Sequence, residues 1–273
     1  MNPTAAPQSL ALVTGASSGI GLAIAAELAR RGHSLLMVST DEAGIAGAAA
    51  ELGARHGVRA IPLCMDLSLA DSAQRLFDHC LDNGLEVEIL VNNAGVFFFG
   101  DVVDIPDERA NGMIALHMTT PAALSRLFAR RMIARKTKGY ILNVGSISSR
   151  MMMPGIAFYA ATKSFMRVFS RAMRNEVFDD GVSVTTLCPG AVATGLYSLP
   201  PRFLKAGVRL GAIMLPERVA RLAVRKMFAR KAECVPGAFF NRLFILVVAA
   251  APEAAVRWLR RKVNASARNA DLS

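Results

Sequence analysis

The sequence predicts an α/β fold in which a parallel β-sheet carries helices on both faces. From Leu10 to about Val192, short apolar runs alternate with longer segments of helical period, which is the pattern that repeated βαβ units require. The apolar runs contain few polar residues, as expected of strands that are buried on both faces. A chain of 273 residues has room for one such sheet, and we expect a single domain over residues 1–273.

The order of the elements follows from the same pattern. Strands are predicted at residues 10–14, 34–39, 60–65, 87–93, 140–146 and 182–188, and helices at 20–31, 42–56, 69–83, 107–136 and 157–179. We expect the fourth helix to bend near Pro121, because proline lacks the N–H of an intrahelical bond. Residues 195–235 are predicted as a substrate-loop region that contains an amphipathic helix over 216–230 and a short last strand within 232–236.

Charge is concentrated in the last quarter of the chain. Residues 201–273 contain 15 Lys and Arg against 4 Asp and Glu, whereas residues 1–200 contain 17 of each class. This distribution disfavours a nucleic-acid-binding protein, which spreads positive charge along the contacting domain. The first residues show no signal-peptide pattern and the four cysteines form no paired motif, so we expect a cytoplasmic protein with reduced thiols. The four histidines show no metal-binding spacing, and we expect no metal site.

The predicted C-terminal extension, residues 236–273, is both apolar and basic. Its apolar stretch, Leu243 to Ala251, is too short to cross a bilayer. Basic residues flank this stretch: Arg242, Arg257, Arg260, Arg261 and Lys262. Two interpretations stay open, namely a peripheral contact with an anionic membrane and burial between the subunits of a homo-oligomer, a dimer or a tetramer.

A glycine-rich turn joins the first predicted strand to the first helix. Its sequence is Thr14-Gly15-Ala16-Ser17-Ser18-Gly19-Ile20-Gly21. Such a turn lets backbone N–H groups approach a pyrophosphate at the N-terminus of a helix, where the helix dipole favours negative charge. The turn therefore predicts a dinucleotide site. About 20 residues further on, where the ribose is expected, Asp41 lies slightly past the contact position and no Lys or Arg is at hand, so these residues leave NAD and NADP open.

Tyr159 and Lys163 lie four residues apart in a segment of helical period, so both side chains project from one helix face. A phenol with a pKa of about 10 is a poor acid–base catalyst at neutral pH, and an ammonium roughly 4–6 Å away lowers that pKa. Ser146 ends the preceding strand, where its hydroxyl can hold a carbonyl oxygen beside the phenol. The same pair also occurs on solvent-exposed helices without a role, so its context has to decide.

Four motifs provide that context along residues 10–195. They are TGASSGIG at the first strand, Asn92-Asn93-Ala94-Gly95 after the fourth, Ser146 followed by the YxxxK pair of Tyr159 and Lys163, and Pro189-Gly190 followed by Thr194. In this order they resemble the short-chain dehydrogenase/reductase family. The resemblance implies a Rossmann fold, which is a doubly wound parallel sheet of about seven strands with helices on both faces, and an enzyme that uses NAD(P). It favours NADP slightly over NAD.

The resemblance also implies roles for single residues. Tyr159 resembles the catalytic acid–base, Lys163 the residue that lowers its pKa and holds the nicotinamide ribose, and Ser146 the group that positions the substrate oxygen. The positions similar to the family's cofactor-binding residues are Gly15, Ser17, Ser18, Ile20, Gly21, Thr40, Asp66, Leu67, Asn93, Ala94, Gly95, Pro189, Gly190, Val192 and Thr194, together with Tyr159 and Lys163. Asp66 and Leu67 match the adenine pocket, and Thr194 matches the residue that grips the carboxamide.

His117 departs from the family pattern. Many members carry an asparagine here, on the fourth helix, whose backbone kink holds a water in a proton relay from the lysine. An imidazole can pass protons near neutral pH, so His117 either continues the relay as a further catalytic residue or is a packed residue without a role.

Apolar residues follow several of these motifs: Phe97, Phe98, Phe99, Met151, Met152, Met153, Phe158 and Tyr197. By resemblance these segments border the substrate cleft, which predicts an apolar carbonyl or secondary alcohol substrate such as a lipid, an acyl compound or a steroid. Packing in the core or against a second subunit explains the same residues.

Two functions are consistent with the sequence. The first is an active oxidoreductase, which the intact set of Ser146, Tyr159 and Lys163 favours. The alternative is a catalytically weak dinucleotide-binding sensor or a membrane-associated partner protein on the same fold, with His117 as a first sign of lost chemistry.

Overall fold

The computed structural model describes residues 9–197, 207–209 and 212–237, together with residues 254, 257 and 260. Within these residues, seven parallel strands form one sheet in the order β3-β2-β1-β4-β5-β6-β7. The strands are β1 (Leu10–Thr14), β2 (Ser34–Ser39), β3 (Ala60–Cys64), β4 (Val87–Asn92), β5 (Gly139–Val144), β6 (Val182–Leu187) and β7 (Glu233–Cys234). The predicted α/β fold class is confirmed.

Helices connect the strands and cover both faces of the sheet. They are α1 (Gly19–Arg30), α2 (Glu42–His56), α3 (Ser72–Asp82), α4 (Asp107–Ile114), α5 (Thr120–Ala134), α6 (Ala157–Val177) and α7 (Pro216–Phe228). The bounds of α2 show why these predictions hold. Asp41 accepts a hydrogen bond from the Gly44 N–H at the helix start, and Gly57 ends the helix with a left-handed φ of 65°.

The strands supply two apolar layers. On one face, Val13 and Met37 pack with α1, α2 and α7. On the other face, Leu12 and Leu36 pack with α3, α5 and α6. Because successive strand residues point to opposite faces, one uninterrupted apolar run feeds both layers, and each fully buried side chain contributes roughly 1.5–3 kcal/mol.

The helix predicted over 107–136 is interrupted next to Pro121, where a bend was predicted. The segment 107–136 divides into α4 and α5 around a π-helical turn, Ala115–Thr119, and Pro121 is the second residue of α5. Because the backbone before it is helical, its missing N–H leaves a carbonyl group of the π-helical turn without that intrahelical bond. Insertions of this kind are frequent at functional sites. Here the π-helical turn contains His117.

The region after Thr194 is described only in part. Its amphipathic helix is α7, which packs against α1 in the core, so residues 216–228 belong to the core of the fold. The substrate-loop region over residues 195–235 stays a prediction. The apolar stretch 243–251 lies outside the described residues, so the two interpretations of the C-terminal extension stay predictions. One of its flanking basic residues, Arg260, forms an ion pair with Asp101 at 2.6 Å. Among the described residues, no helix is long and apolar enough to span a bilayer.

Candidate active site

A cleft of about 1090 Å³ opens at the carboxyl ends of the strands. It lies where β1 stands between β2 and β4, the point at which the strand order reverses and at which open α/β sheets bind their ligands. Most of the predicted site residues line it: Gly15, Ser17, Ser18, Ile20, Thr40, Asp66, Leu67, Asn93, Ala94, Gly95, His117, Tyr159, Lys163, Pro189, Gly190, Val192 and Thr194. Gly21 and Ser146 do not.

The glycine-rich turn forms the floor of the cleft at one end. Gly15 and Gly19 have φ values of 63° and 58°, a conformation that favours glycine. Ser18 caps α1 without a side-chain hydrogen bond, and the first turn of α1 contains no acidic residue. The N–H groups of that turn therefore face the cleft with the positive end of the helix dipole, which fits a pyrophosphate.

Gly21 has a packing role, and its contact with the dinucleotide stays a prediction. A Cβ atom at this position would lie 2.0 Å from the Gly15 carbonyl oxygen and 2.4 Å from Nδ2 of Asn93. The absence of a side chain lets α1 approach the turn closely.

Four hydrogen bonds join the glycine-rich turn to the segment after β4. Asn93 Nδ2 donates to the carbonyl oxygens of Thr14 and Gly15 at 2.9 and 3.0 Å. In return, Thr14 Oγ1 accepts from the backbone N–H groups of Asn93 and Ala94 at 2.9 and 3.0 Å. Thr14 was not among the predicted site residues, although it is the first residue of the TGASSGIG motif.

Hydroxyl groups line the end of the cleft at β2, where the ribose is predicted to lie. The Oγ atoms of Ser17 and Ser39 are 2.9 Å apart, and Thr40 lies beside them in the cleft wall. The carboxylate of Asp41 is used in capping α2. Ser39 was not among the predicted site residues, although it ends the strand at which the ribose is expected.

Tyr159 and Lys163 lie together on the face of α6 that lines the cleft, and both are buried. Lys163 Nζ donates to the Val144 carbonyl oxygen at 3.0 Å and lies 5.8 Å from the centroid of the Tyr159 ring. Burial lowers the pKa of Lys163 from its ordinary value to about 8. At neutral pH the group remains mostly an ammonium ion.

Ser146 follows β5 and is buried next to Gly145, which lines the cleft. It caps a 3₁₀ turn, Ile147–Arg150, and its Oγ accepts the N–H of Ser148 at 3.1 Å. Since a hydroxyl carries one donor and two acceptor positions, this bond leaves the Ser146 O–H proton available to another acceptor.

His117 has hydrogen-bond partners at both ring nitrogens. Nε2 lies 3.0 Å from the Val96 backbone N–H, which can only donate, and Nδ1 lies 3.1 Å from Thr162 Oγ1. Thr162 Oγ1 in turn donates to the carbonyl oxygen of Tyr159 at 3.0 Å. These contacts fit a neutral imidazole with its proton on Nδ1. Burial and the nearby charge of Lys163 hold the pKa of His117 well below its ordinary value, in agreement with that state.

The aromatic run after β4 divides between two environments. Phe97 and Phe98 line the cleft, and the Phe97 ring makes an edge contact with Tyr159 at a centroid distance of 5.1 Å. Phe99 lies over Gly155, where a Cβ atom would be 2.2 Å from the ring. The predicted border formed by the methionines differs in the structure. Met151 is buried and Met152 is exposed, and neither lines the cleft.

Comparison with known proteins agrees with this geometry. A family model described as short chain dehydrogenase matches residues 9–199. The probable oxidoreductase EphD of Mycobacterium tuberculosis is 33% identical over 189 residues, which are 69% of this chain and 32% of that protein, so the chain spans about a third of EphD. The very-long-chain 3-oxoacyl-CoA reductase of Anas platyrhynchos is 30% identical over 262 residues, 93% of this chain and 79% of that protein.

A solved structure of similar fold contains a nicotinamide dinucleotide. The short-chain dehydrogenase from Sphingobium yanoikuyae in complex with NADPH is 28% identical and has a TM-score of 0.76. The match covers 93% of this chain and 95% of that one.

Proposed function

The chain belongs to the short-chain dehydrogenase/reductase family, and on that premise we propose that it transfers a hydride between NAD(P)(H) and the carbonyl or secondary alcohol group of an apolar small molecule. One observation carries the proposal. Tyr159 and Lys163 lie buried side by side in the wall of the same cleft that has the N-terminus of α1 at its floor. The proton donor and the site for an anionic dinucleotide therefore lie in the same cleft.

The residues of the cleft fit a nicotinamide dinucleotide. The N–H groups of the first turn of α1 would bind the pyrophosphate, and Asp66 and Leu67, which line the cleft after β3, would hold the adenine. Thr194, whose side chain stands beside Gly19, would hold the carboxamide. When bound, the reduced dinucleotide supplies the hydride.

Tyr159 protonates the oxygen of the carbonyl group as the hydride arrives, or removes the proton in the opposite direction. Lys163 supports this step, because its ammonium is held by the Val144 carbonyl oxygen close to the phenol ring. Ser146 donates its free O–H proton to the substrate oxygen and so orients it toward Tyr159.

His117 acts as a positioning residue in this proposal and does not relay protons through its ring. A protonated imidazole would direct an N–H toward the Val96 N–H, which faces Nε2. In the neutral form the ring ties the segment after β4 to Thr162 on α6, one turn along from Tyr159. The substitution at this position is therefore compatible with an intact site and does not favour the alternative of a sensor without chemistry.

NADP is the dinucleotide that the ribose end supports best. Ser17, Ser39 and Thr40 offer hydroxyl donors to a 2′-phosphate there, whereas the carboxylate expected for the 2′-hydroxyl of NAD, that of Asp41, is engaged at the N-terminus of α2. The NADPH complex of the Sphingobium relative supports the same choice.

An apolar substrate is supported by the wall of the cleft that continues beyond Tyr159. Phe97, Phe98, Met113, Leu116 and Leu196 line it. Rings and flexible apolar side chains of this kind suit an extended chain or a fused ring system. The relative that is named as a very-long-chain 3-oxoacyl-CoA reductase supports the acyl class among these substrates.

A homo-oligomer is the partner that the surface supports. A groove of about 600 Å³ between α5 and α6 is lined by Ile133, the stacked pair Phe165 and Phe169, and Met173. Val168, on the same side of α6, is 64% exposed. Apolar surface of this kind commonly marks a contact with another subunit.

The test is turnover of NADPH with three ketones: an aliphatic methyl ketone, a medium-chain β-ketoacyl thioester and a steroid ketone. We expect oxidation of NADPH with at least one of them, and a loss of at least about a hundredfold in kcat for Tyr159→Phe, which keeps the ring and removes the proton. NADPH binding should be unchanged in that variant. Binding of NADPH without turnover of any ketone by the wild-type protein would favour the sensor.

A further inference from the structure

Glu233 is the first residue of the two-residue strand β7, and its carboxylate lies behind the wall of the cleft. Three groups converge on its Oε1 atom. Arg150 Nη2 donates at 2.6 Å, Arg167 Nε at 3.2 Å and Cys188 Sγ at 3.5 Å. The carboxylate is largely buried, with 19% of the side chain exposed. Burial alone would raise the pKa of Glu233, but the two arginines outweigh this effect and lower it, so the group is an anion at neutral pH.

The two arginines come from the two elements that carry the proposed catalytic groups. Arg150 is the last residue of the 3₁₀ turn that Ser146 caps. Arg167 follows Lys163 by four residues on α6, so it lies one turn further along the helix that carries Tyr159. One carboxylate oxygen thus ties both elements to the same strand.

We propose that Glu233 is a positioning residue of the oxidoreductase, whose carboxylate fixes the 3₁₀ turn of Ser146 against the Tyr159–Lys163 face of α6. The inference rests on the proposed function, since it concerns the relative placement of the groups that act there. Glu233 does not line the cleft and is not expected to touch the substrate.

The strength of these contacts supports a positioning role. Hydrogen bonds between charged groups are about twice as strong as neutral ones, and two such bonds, from Arg150 and Arg167, meet at one carboxylate oxygen of Glu233. Two further bonds hold the same turn, from Ser164 Oγ on α6 to the Ser149 carbonyl oxygen at 3.0 Å and from the Ile147 N–H to the Pro189 carbonyl oxygen at 3.0 Å. These bonds hold the middle and the start of the turn, so Glu233 adds the anchor at its end.

A direct electrostatic effect on Lys163 is the competing explanation. Cys188 lies between the two groups, because its thiol contacts Glu233 and also contributes to the environment of Lys163. Burial raises the pKa of Cys188 to about 11, so this thiol is neutral at working pH and adds no charge of its own beside Lys163. A direct effect of the Glu233 charge on Lys163 would shift the pH–rate profile of Glu233→Gln. Loss of positioning would lower the rate without shifting the profile.

The chain offers a matched control in Glu86. This residue also lies between two arginines, Arg131 and Arg135, with partial exposure. It directly precedes β4, at the end of the sheet opposite to the cleft. Glu86→Gln removes an equivalent carboxylate where no cleft residue depends on it.

The experiment compares Glu233→Gln, Glu86→Gln and wild type with NADPH and the ketone that wild type reduces, with rates normalised to bound NADPH. For Glu233→Gln we expect kcat to fall roughly five- to thirtyfold, with the KM for NADPH within about twofold of wild type and no shift of the pH–rate profile. Glu86→Gln should keep the wild-type kcat. Equal kcat values for the two variants, or a shifted profile for Glu233→Gln, would overturn the inference.

Two further measurements keep the outcome decisive. If Glu233→Gln does not fold, Arg150→Gln removes one arm only and should reduce kcat in the same direction, and an unchanged kcat would overturn the inference. Hydrogen exchange of residues 147–156 does not depend on turnover. We expect faster exchange of these residues in Glu233→Gln than in Glu86→Gln, and equal exchange in the two variants would overturn the inference. A wild-type protein that reduced none of the ketones would overturn the proposed function only, because the exchange comparison could still be made.

Discussion

Glu86 and Glu233 each lie between two arginines, but at opposite ends of the sheet. At the amino end, Glu86 joins the start of β4 to the helix α5 and contacts nothing in the cleft. At the carboxyl end, Glu233 joins the turn of Ser146 to the helix of Tyr159 and Lys163. The same ionic arrangement therefore holds the scaffold in one region and holds the reacting groups in the other.

Polar burial differs between the two ends in the same way. In β1, β2, β4 and β5 the buried polar side chains lie near the carboxyl ends of the strands: Thr14, Ser39, Asn92 and Asn143. Asn92 Nδ2 donates to Asn143 Oδ1 at 2.8 Å, which links β4 to β5 just below the cleft. Each such group needs a hydrogen-bond partner to offset its desolvation. The carboxyl end of the sheet therefore depends on specific hydrogen bonds, whereas the rest of the strands depends on apolar packing.

The largest effect is expected from the apolar core. Phe128 on α5 is fully buried and makes an edge contact with Phe77 at a centroid distance of 5.1 Å. Phe128→Ala should lower the free energy of unfolding by roughly 3–5 kcal/mol, measured by urea denaturation. The kcat of the folded fraction should stay at the wild-type value. A large fall in kcat per folded molecule would show that core and site are not separable.

Lys163→Met should act in the opposite direction on stability and activity. Its burial lowers the pKa to about 8, so the folded protein carries an ammonium in an unfavourable place. We expect at least about a hundredfold loss of kcat and a gain of roughly 1–2 kcal/mol in the free energy of unfolding, less than the pKa shift alone implies because the bond to Val144 is lost.

The pH dependence of that gain checks its cause. Below the folded pKa of about 8 both states of wild-type Lys163 are charged and the full penalty applies. Between about 8 and the unfolded value of about 10.4 the folded group is already neutral, and the penalty shrinks to zero. The stability difference between Lys163→Met and wild type should therefore narrow over this range, and a constant difference would point to packing alone.

The smallest effect is expected at His117. His117→Ala removes the link between Val96 and Thr162 and should lower kcat about three- to tenfold by loosening the segment after β4. Because the pKa of the imidazole is held well below its ordinary value, the loss should be uniform between about pH 6 and pH 9. A pH–rate profile from stopped assays tests this expectation. A loss of kcat that is confined to the acidic side would support a proton relay through the His117 ring instead.

The sequence predicts the strands of this fold closely, since six strand predictions agree with the structure to within two residues. Buried parallel strands are continuous apolar runs, and that signal is local. The contacts of His117 could not be predicted, because they join it to residues 21 and 45 positions away and no local pattern connects them. The irregularity of the fourth predicted helix has a local signal in Pro121, and the π-helical turn directly precedes the helix turn that contains it.

The residues of the candidate site also differ in whether a local sequence pattern predicts them. Gly15, Tyr159 and Lys163 stand in motifs of short span, and the structure places them around one cleft. Glu233 stands 83 positions from Arg150 and 66 from Arg167, so no spacing in the sequence connects them. The packing role of Gly21 against Gly15 and Asn93 is likewise visible only in the structure.

Hydride transfer itself is tested most directly by isotope labelling. Wild-type protein is given NADPH that carries deuterium in the transferred position on C4, together with the ketone that it reduces, and the product is analysed by mass spectrometry and NMR. We predict an alcohol with one deuterium on the former carbonyl carbon. An alcohol without deuterium, or NADPH bound in the cleft with no alcohol formed, would contradict the proposed reaction.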